Sequence, residues 1–515
     1  MKNLVKAVGI VMVLTVLSRF MALVSQAIYL AEFGVNVQMD AYSFAITIPN
    51  VIFAGVGTAL TTVVVPIFAN YFGKGERGRG FEFIRNIMTL AILVTAIIAF
   101  LGILFTPLII SLTSFAQDEA RGFAIFAVRS MFTVMMFYAL AYIFQGVLQS
   151  SGRFVVASMI CLPGSLLVIA YTYFLSEKFG ITGLVIATIV GLSFQVIIMI
   201  PSMRKIGFDF KLKLNLKDED IKKALRLIPP VFIGTSAWQV NMLFNSTVAS
   251  WFEGGATLIT LVQNLVTSGV LTFIFSITAV IFPRFTVLYG KGENEQFKDL
   301  FSKSIGTVLF FLIPLAIGFI LMGESFLAVI YGRGQVTPEN IKMASVIMGF
   351  YGVGIIGNSL KEITDRAFYA MKDTLRPALN GLLIMIINIV SCLILIIPFG
   401  VYGIPFGYTI SLTFGGVFVL LMLKRKIGDW GIVNVLSTFG KALVSSVVMG
   451  FFVFIIKTMV SQFVIGDTFL ERLILLSVPT ICGIIIYFVC AMQLRMNEAR
   501  SVLEKVKTKL GVGGF

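Results

Sequence analysis

Charge is scarce in this sequence, so an ionic group inside an apolar run is where chemistry could reside. Charged residues make up 13% of the 515 positions against 58% hydrophobic ones. Arg19 lies about fifteen residues into the first apolar run, ~22 Å along a helix axis and near the centre of a bilayer. A charge at that depth costs at least about 2.5 kcal/mol on insertion scales, so it has to face a partner or a wet cavity. Asn358, Lys361, Glu362, Asp365 and Arg366 crowd a later run. There Lys361–Asp365 and Glu362–Arg366 are both i,i+4 pairs, which either neutralise one another along one helix or form a charged cavity wall. Uncharged amides stand in other inner segments, among them Gln26, Asn50, Gln145, Gln263, Asn264 and Asn388. They suit hydrogen bonds to a substrate or simply to a neighbouring helix.

Other chemistries are excluded by composition. The chain contains no histidine, which removes the usual proton shuttle and the Ser-His and Cys-His arrangements. Its four cysteines, Cys161, Cys392, Cys482 and Cys490, fall in apolar segments without CxxC spacing, so neither a metal site nor a disulfide framework is expected. No nucleophile–base pair points to an enzyme. No GxxxxGK[ST] loop points to ATP, so no cofactor is expected and the energy source would be an ion gradient or the membrane potential. The net charge of +15 comes with no separate basic domain, which argues against nucleic acid.

Apolar runs of about 20 residues or more recur from end to end. From a cytoplasmic start they give fourteen spans, approximately 4–31, 40–70, 84–112, 122–149, 154–176, 181–201, 224–251, 256–288, 304–331, 341–371, 376–398, 402–423, 438–461 and 470–494. Segments on the starting side and their adjoining turns hold 28 Lys and Arg, and the opposite loops hold 5. This asymmetry puts both termini in the cytoplasm. Lys2 and Lys6 before an apolar run resemble a signal peptide, but no small-residue cleavage site precedes Arg19, so the run is expected to stay as helix 1.

The spans are duplicated. FGITGLVIATIVGLSF (Phe179–Phe194) returns 220 positions later as FGVYGIPFGYTISLTF (Phe399–Phe414), and VPIFANYFGKGE (Val65–Glu76) returns 217 positions later as FPRFTVLYGKGE (Phe282–Glu293). Two matches at one spacing describe a repeated half. Six spans per half is an even number, so the repeat is parallel. The expected fold is therefore an all-α polytopic membrane protein: a lobe over 1–201 (helices 1–6), a pseudo-symmetric lobe over 224–424 (helices 7–12), and two added helices over 438–494. Between the lobes, 202–223 is a basic connector in which Phe208, Phe210, Leu212, Leu214 and Leu216 alternate with polar residues. That pattern reads as an extended segment on the anionic inner leaflet or as a plain solvated linker. The tail, 495–515, places Val502, Leu503, Val506 and Leu510 on one face of an amphipathic helix. Pro49, Gly55, Gly57 and Pro229–Pro230 mark places where helices could flex or pack closely.

The runs SRFMALVSQAIYLAEFG and MDAYSFAITIPN (within Ser18–Asn50), FQGVLQSSGRF (Phe144–Phe154), YGRGQVTPEN (Tyr331–Asn340) and above all DRAFYAMKDTLRPAL (Asp365–Leu379) resemble the MurJ (MviN) family of lipid II flippases within the MOP exporter superfamily. The resemblance covers nearly the whole chain. It implies fourteen helices, two lobes around a central cavity, and an undecaprenyl-pyrophosphate-linked disaccharide pentapeptide as substrate. The family's characteristic positions stand here as Arg19, Asp40, Pro49–Asn50 and Arg366. Its later helix 1 Arg-Asp falls on Ser25–Gln26, its helix 2 arginine on Phe53, and its helix 8 Asp-Arg on Gln263–Asn264. The candidate cavity residues are thus Arg19, Gln26, Asp40, Asn50, Gln263, Asn264, Lys361, Glu362 and Arg366, with no catalytic or metal-binding residue.

The expected function is translocation of lipid II from the inner to the outer leaflet of the bacterial cytoplasmic membrane by alternating access, by a monomer in contact with anionic lipids. Two alternatives stand beside it: a flippase for another undecaprenyl-linked oligosaccharide, and a MOP-type drug or cation antiporter, for which Asp40 and Glu362 are the candidate carboxylates. An inactive scaffold is a third.

Overall fold

The structure, a computed structural model, describes residues 2–116, 120–160, 162–464 and 468–509. Cys161 and the tail's Leu510 lie outside the described residues. The described chain is nearly all helical, as a membrane solvent demands, since helices satisfy every backbone group within the segment. In order, the helices are α1 (Lys2–Phe33), α2 (Val37–Gly73), α3 (Arg77–Ser111), α4 (Arg121–Phe132), α5 (Met135–Ser150), α6 (Phe154–Ser158), α7 (Leu162–Phe174), α8 (Ser176–Ile197), α9 (Ile200–Lys205) and α10 (Glu219–Ala249). They continue as α11 (Gly255–Val266), α12 (Thr272–Gly290), α13 (Asn294–Tyr331), α14 (Pro338–Ala370), α15 (Leu375–Phe399), α16 (Gly403–Ile427), α17 (Ile432–Phe463), α18 (Phe469–Gln493) and α19 (Asn497–Lys509).

Polar side chains set several starts by occupying backbone N–H groups that the first turn leaves free. Asn36 accepts from the Met39 N–H at 2.9 Å ahead of α2, and Asp218 accepts from Asp220 at 2.9 Å ahead of α10. Thr337 caps α14 just before Pro338, and Thr468 with Glu471 forms a capping box on α18.

Among the described residues, ten helical stretches are long and apolar enough to cross a membrane, fewer than the fourteen expected. The difference has identifiable sources. α7 is only 13 residues long, the apolar stretch Val63–Gly73 of α2 is likewise too short to be counted, and α15 and α16 run together as one stretch, Leu375–Ile427. α10 carries Glu219, Asp220, Lys222, Lys223 and Arg226 in its first turns.

Contacts divide the chain into two units, Met1–Thr257 with Gly334–Val336, and Leu258–Arg333 with Thr337–Phe515. Division by contacts thus falls later in the chain than division by repeat, which ends the first lobe at 201 and starts the next at 224. α10 packs along α2 in the first unit, tied there by a hydrogen bond from the Tyr71 hydroxyl to Asp220. Ile221 and Ala224 of α10 enter the same buried cluster as Phe68, Phe81, Phe144 and Phe208.

The duplicated stretches carry matching backbone turns. Left-handed φ angles occur at Gly34 and Gly254 (70° and 73°), Gly75 and Gly292 (78° and 74°), Gly152 and Lys372 (75° and 59°), Gly180 and Gly400 (54° and 55°), and Gly207 and Gly428 (91° and 80°). The spacings are 220, 217, 220, 220 and 221 positions. Even the capping bonds repeat: Arg153 N–H to Leu148 O at 2.8 Å corresponds to Asp373 N–H to Phe368 O at 3.0 Å. Each of these residues takes a positive φ, a region where glycine is least strained.

The connector is extended, with no helix between Lys205 and Glu219. It is pinned along α3 by Arg85 Nε donating to Asp209 O (2.9 Å), Lys213 N–H to Thr89 Oγ1 (3.0 Å) and Asn215 N–H to Asn86 Oδ1 (2.8 Å). Lys211 and, more weakly, Arg85 hold the exposed Asp209 carboxyl below its ordinary value. Phe208 is buried against Phe81, Phe144 and Phe210, whereas Leu212, Leu214 and Leu216 are exposed. In the second unit, Tyr487 donates to Phe310 O at 2.6 Å, joining α18 to α13, and Lys457 donates to Leu321 O at 3.1 Å.

Candidate functional site

The first unit holds an open cavity of about 490 Å3 walled by α1, α2, α5, α7 and α8. Its polar lining arrives as stripes at helical spacing: Ser25 and Tyr29 on α1, Tyr42 and Asn50 on α2, Tyr138, Tyr142 and Gln145 on α5, Ser165 on α7, and Thr188 and Gln195 on α8. Residues three, four, seven or eight apart share a helix face, so each stripe points one way. Among the described residues, no lining residue is charged. Close helix approach shapes the wall, because a Cβ on Gly191 would meet Gly164 Cα at 2.9 Å, a small-residue crossing of the kind membrane helices use.

Internal bonds hold the polar lining. Tyr42 and Thr188 hydroxyls are 2.8 Å apart, and the Tyr138 hydroxyl donates to Asn50 Oδ1 at 2.6 Å. Phe53, buried below Asn50 on α2, stacks on Tyr138 with ring centroids 6.0 Å apart. The ring thus backs the cavity wall at the position where the resemblance led one to look for an arginine. Of the expected residues, Asn50 lines this cavity, and Gln26 is half-buried beside Ser25. Arg19 is exposed on α1 and stands three residues before Ala22, a lining residue.

Asp40 does not join them. Its side chain is 1% exposed, with Oδ2 accepting from the Gly254 N–H at 2.6 Å and Oδ1 from the Thr257 N–H at 2.8 Å. It caps the start of α11, satisfying two backbone donors and favoured there by the helix dipole. Asp40 is thus engaged by the start of α11 and is not part of the first unit's cavity lining. Arg19 lies fourteen residues before the end of α1, ~21 Å along its axis, and Asn50, not Asp40, is at a comparable depth in α2.

In the second unit, Gln263 is buried and Asn264 exposed on α11. The α14 group is internally paired. Lys361 Nζ lies 2.6 Å from Asp365 Oδ2 and 3.7 Å from Glu362, and Arg366 lies 3.7 Å from Glu362 and over the Tyr369 ring. Two cations meet two carboxylates, so the group carries no net positive charge and Lys361 is not free for an anion. Lys361→Ala is therefore expected to destabilise the protein by about 1–3 kcal/mol, by leaving Asp365 buried without its cation. The Lys361→Met, Asp365→Leu double variant is expected to recover most of that loss. Thermal unfolding of both variants checks this, and a double variant no better than the single would show that the pair is not the cause.

The comparisons with known proteins add the decisive observation: the profile of the family described as lipid II flippase MurJ matches residues 30–474. The chain belongs to the MurJ lipid II flippase family. It is 25% identical over 442 residues to a probable lipid II flippase MurJ of Treponema pallidum (strain Nichols), covering 82% of each chain. It is 20% identical to the lipid II flippase MurJ of Burkholderia cenocepacia, covering 82% of this chain and 84% of that one. Its fold is similar to a solved lipid II flippase MurJ in an inward closed conformation (TM-score 0.78, 21% identity, 94% and 98% of the two chains). It is also similar to an inward-facing multidrug resistance MATE family transporter of the MOP superfamily (TM-score 0.65, 15% identity, 80% and 95%). The chain is a multi-pass membrane protein of the MurJ family.

The segment that most resembles MurJ, Asp365–Leu379, builds a turn. Lys372 takes φ 59° at the end of α14, and Asp373 binds Lys426 Nζ at 2.5 Å and Arg376 at 3.5 Å. Burial alone would raise the Asp373 carboxyl, but the bonds from Lys426 and the Arg376 N–H outweigh it and hold the group below its ordinary value. Arg376 and Lys426 both lie over the Phe368 ring, at 5.7 and 5.6 Å. Most of this MurJ signature is thus architecture, joining α14 to α15 and α16. The cavity tyrosines were missed from sequence, although the 3–4 spacing of Tyr138, Tyr142 and Gln145 on α5 was a signal that could have found them.

Proposed function

We propose that this protein moves lipid II from the inner to the outer leaflet of the bacterial cytoplasmic membrane, with both termini in the cytoplasm. The observation that carries this reading is the family match over residues 30–474. A pyrophosphate-sugar headgroup cannot cross hydrocarbon unaided, because each desolvated charge is costly. A protein of this kind has to shelter the headgroup while the polyprenyl tail stays in lipid, and expose it to one face and then the other. Arg19, deep in α1 and three residues from a lining residue of the first unit's cavity, is the cation we assign to the pyrophosphate. No phosphate-binding loop is present in the sequence, so the driving force is an ion gradient or the membrane potential and no cofactor takes part. On the inner face, the exposed Leu212, Leu214 and Leu216, with Lys211, Lys213 and Lys217 between and beside them, suit a leaflet of anionic lipid.

Complementation tests the reading. Expression in cells depleted of their own lipid II flippase is expected to restore growth and outward exposure of lipid II. Stable membrane insertion without rescue would reject it.

A further inference from the structure

The uncharged cavity of the first unit has no part in the charge-based reading above. Its role rests on the lipid II reading. We propose that it is a subsite for the uncharged amino-sugar part of the headgroup, with Tyr42, Tyr138 and Tyr142 as walls and Asn50, Gln145 and Gln195 as hydrogen-bonding partners.

The lack of charge decides what the cavity can hold. A pyrophosphate or a metal cation entering a space lined only by hydroxyls, amides and apolar groups would lose hydration without gaining a counter-charge. A sugar loses only hydrogen bonds, and this lining can return them. Each amide offers both an acceptor oxygen and donor hydrogens, matching the mixed donors and acceptors of hydroxyl and acetamido groups. Tyrosine rings supply flat apolar surfaces with a polar tip, which suits the C–H faces of a pyranose. The volume, about 490 Å3, lies in the range of small-molecule sites, roughly 300–1,000 Å3.

Preorganisation adds to this. The Tyr138 hydroxyl engages Asn50 Oδ1, which fixes the amide with its NH2 group on the opposite side. Phe53 fixes the Tyr138 ring in turn. The placement relative to Arg19 also fits the chemistry of a lipid-linked sugar diphosphate. Arg19 is three residues, ~4.5 Å along the α1 axis, from the lining residue Ala22, and in such a lipid the first sugar is bonded directly to the pyrophosphate. A phosphate held at Arg19 would put its sugar at the cavity mouth.

The test uses the full-length protein in nanodiscs and two probes, lipid II and sugar-free undecaprenyl pyrophosphate. Wild type is expected to bind lipid II more tightly. Gln145→Leu and Asn50→Ala are each expected to weaken lipid II binding about tenfold, the size of one lost hydrogen bond, and to leave undecaprenyl pyrophosphate binding unchanged. Arg19→Ala is expected to weaken both. Thermal unfolding of each variant separates binding from folding, and Tyr138→Phe, which keeps the ring and removes the hydroxyl, serves where Asn50→Ala fails to fold. The subsite is overturned, with the flippase reading intact, if wild type binds both lipids equally or if the amide variants weaken both alike. Wild type that binds neither lipid overturns the flippase reading and the subsite together.

Discussion

Asp40→Ala is expected to cost about 3–5 kcal/mol of stability, because it removes two charge-assisted hydrogen bonds worth roughly 1.5–3 kcal/mol each. The Gly254 and Thr257 N–H groups that Asp40 now satisfies at 2.6 and 2.8 Å would be left at a buried helix start. Thr257 is itself 2% exposed and meets Ser43 through its hydroxyl at 3.3 Å, so water has little access to replace the lost acceptor. Asp40→Asn keeps one acceptor oxygen and is expected to lose about half as much. The measurement is folded yield and thermal unfolding in detergent, paired with undecaprenyl pyrophosphate binding per folded molecule. Binding per folded molecule should be unchanged. An Asp40→Ala protein of wild-type stability that no longer binds would return Asp40 to the substrate path and remove it from the frame.

Asp40 also shows where sequence reading stops. A carboxylate at the start of a membrane helix is legible as a costly group with a reason to exist, but its partners are backbone N–H groups 214 and 217 positions away, and backbone donors carry no sequence signature. The α14 charges are the opposite case. Their partners lie four residues away, so the i,i+4 pairing is legible from spacing alone, and the 2.6 Å Lys361–Asp365 contact realises it. The duplicated words are legible for a similar reason: FG at Phe179–Gly180 and Phe399–Gly400 marks a left-handed turn, and both glycines adopt it. Repeat arithmetic locates where a copy begins. It does not say which neighbour a helix packs on, and so α10, which opens the second copy, falls with the first unit through its contacts along α2. The cavity is half legible, since amides such as Asn50 and Gln145 stand out in apolar runs. Tyrosines do not, because the same residue serves equally in cores and at membrane interfaces.

Arg19→Ala is expected to abolish lipid II flipping while leaving most of the folded protein intact. Arg19 is exposed, whereas its neighbour Ser18 is buried and donates to Ser158 O at 3.2 Å, anchoring this stretch of α1 to α6. Removing the arginine side chain therefore opens no cavity in the core and leaves that anchor in place. The transport loss should be large because the substitution is hard to compensate. Lys361 and Arg366 face carboxylates, and the first unit's cavity offers only uncharged groups. A guanidinium grips a phosphate with two parallel hydrogen bonds; at roughly 1.5–3 kcal/mol each, their loss corresponds to at least a hundredfold in rate or affinity. Arg19→Lys keeps the charge without the fork and is expected to fall between wild type and alanine. Headgroup exposure in proteoliposomes, measured beside thermal unfolding, decides the matter. Flipping by Arg19→Ala within twofold of wild type would mean that the pyrophosphate finds its cation elsewhere, and the place to look would then be Arg366, whose 3.7 Å contact with Glu362 is the looser of the two α14 pairs.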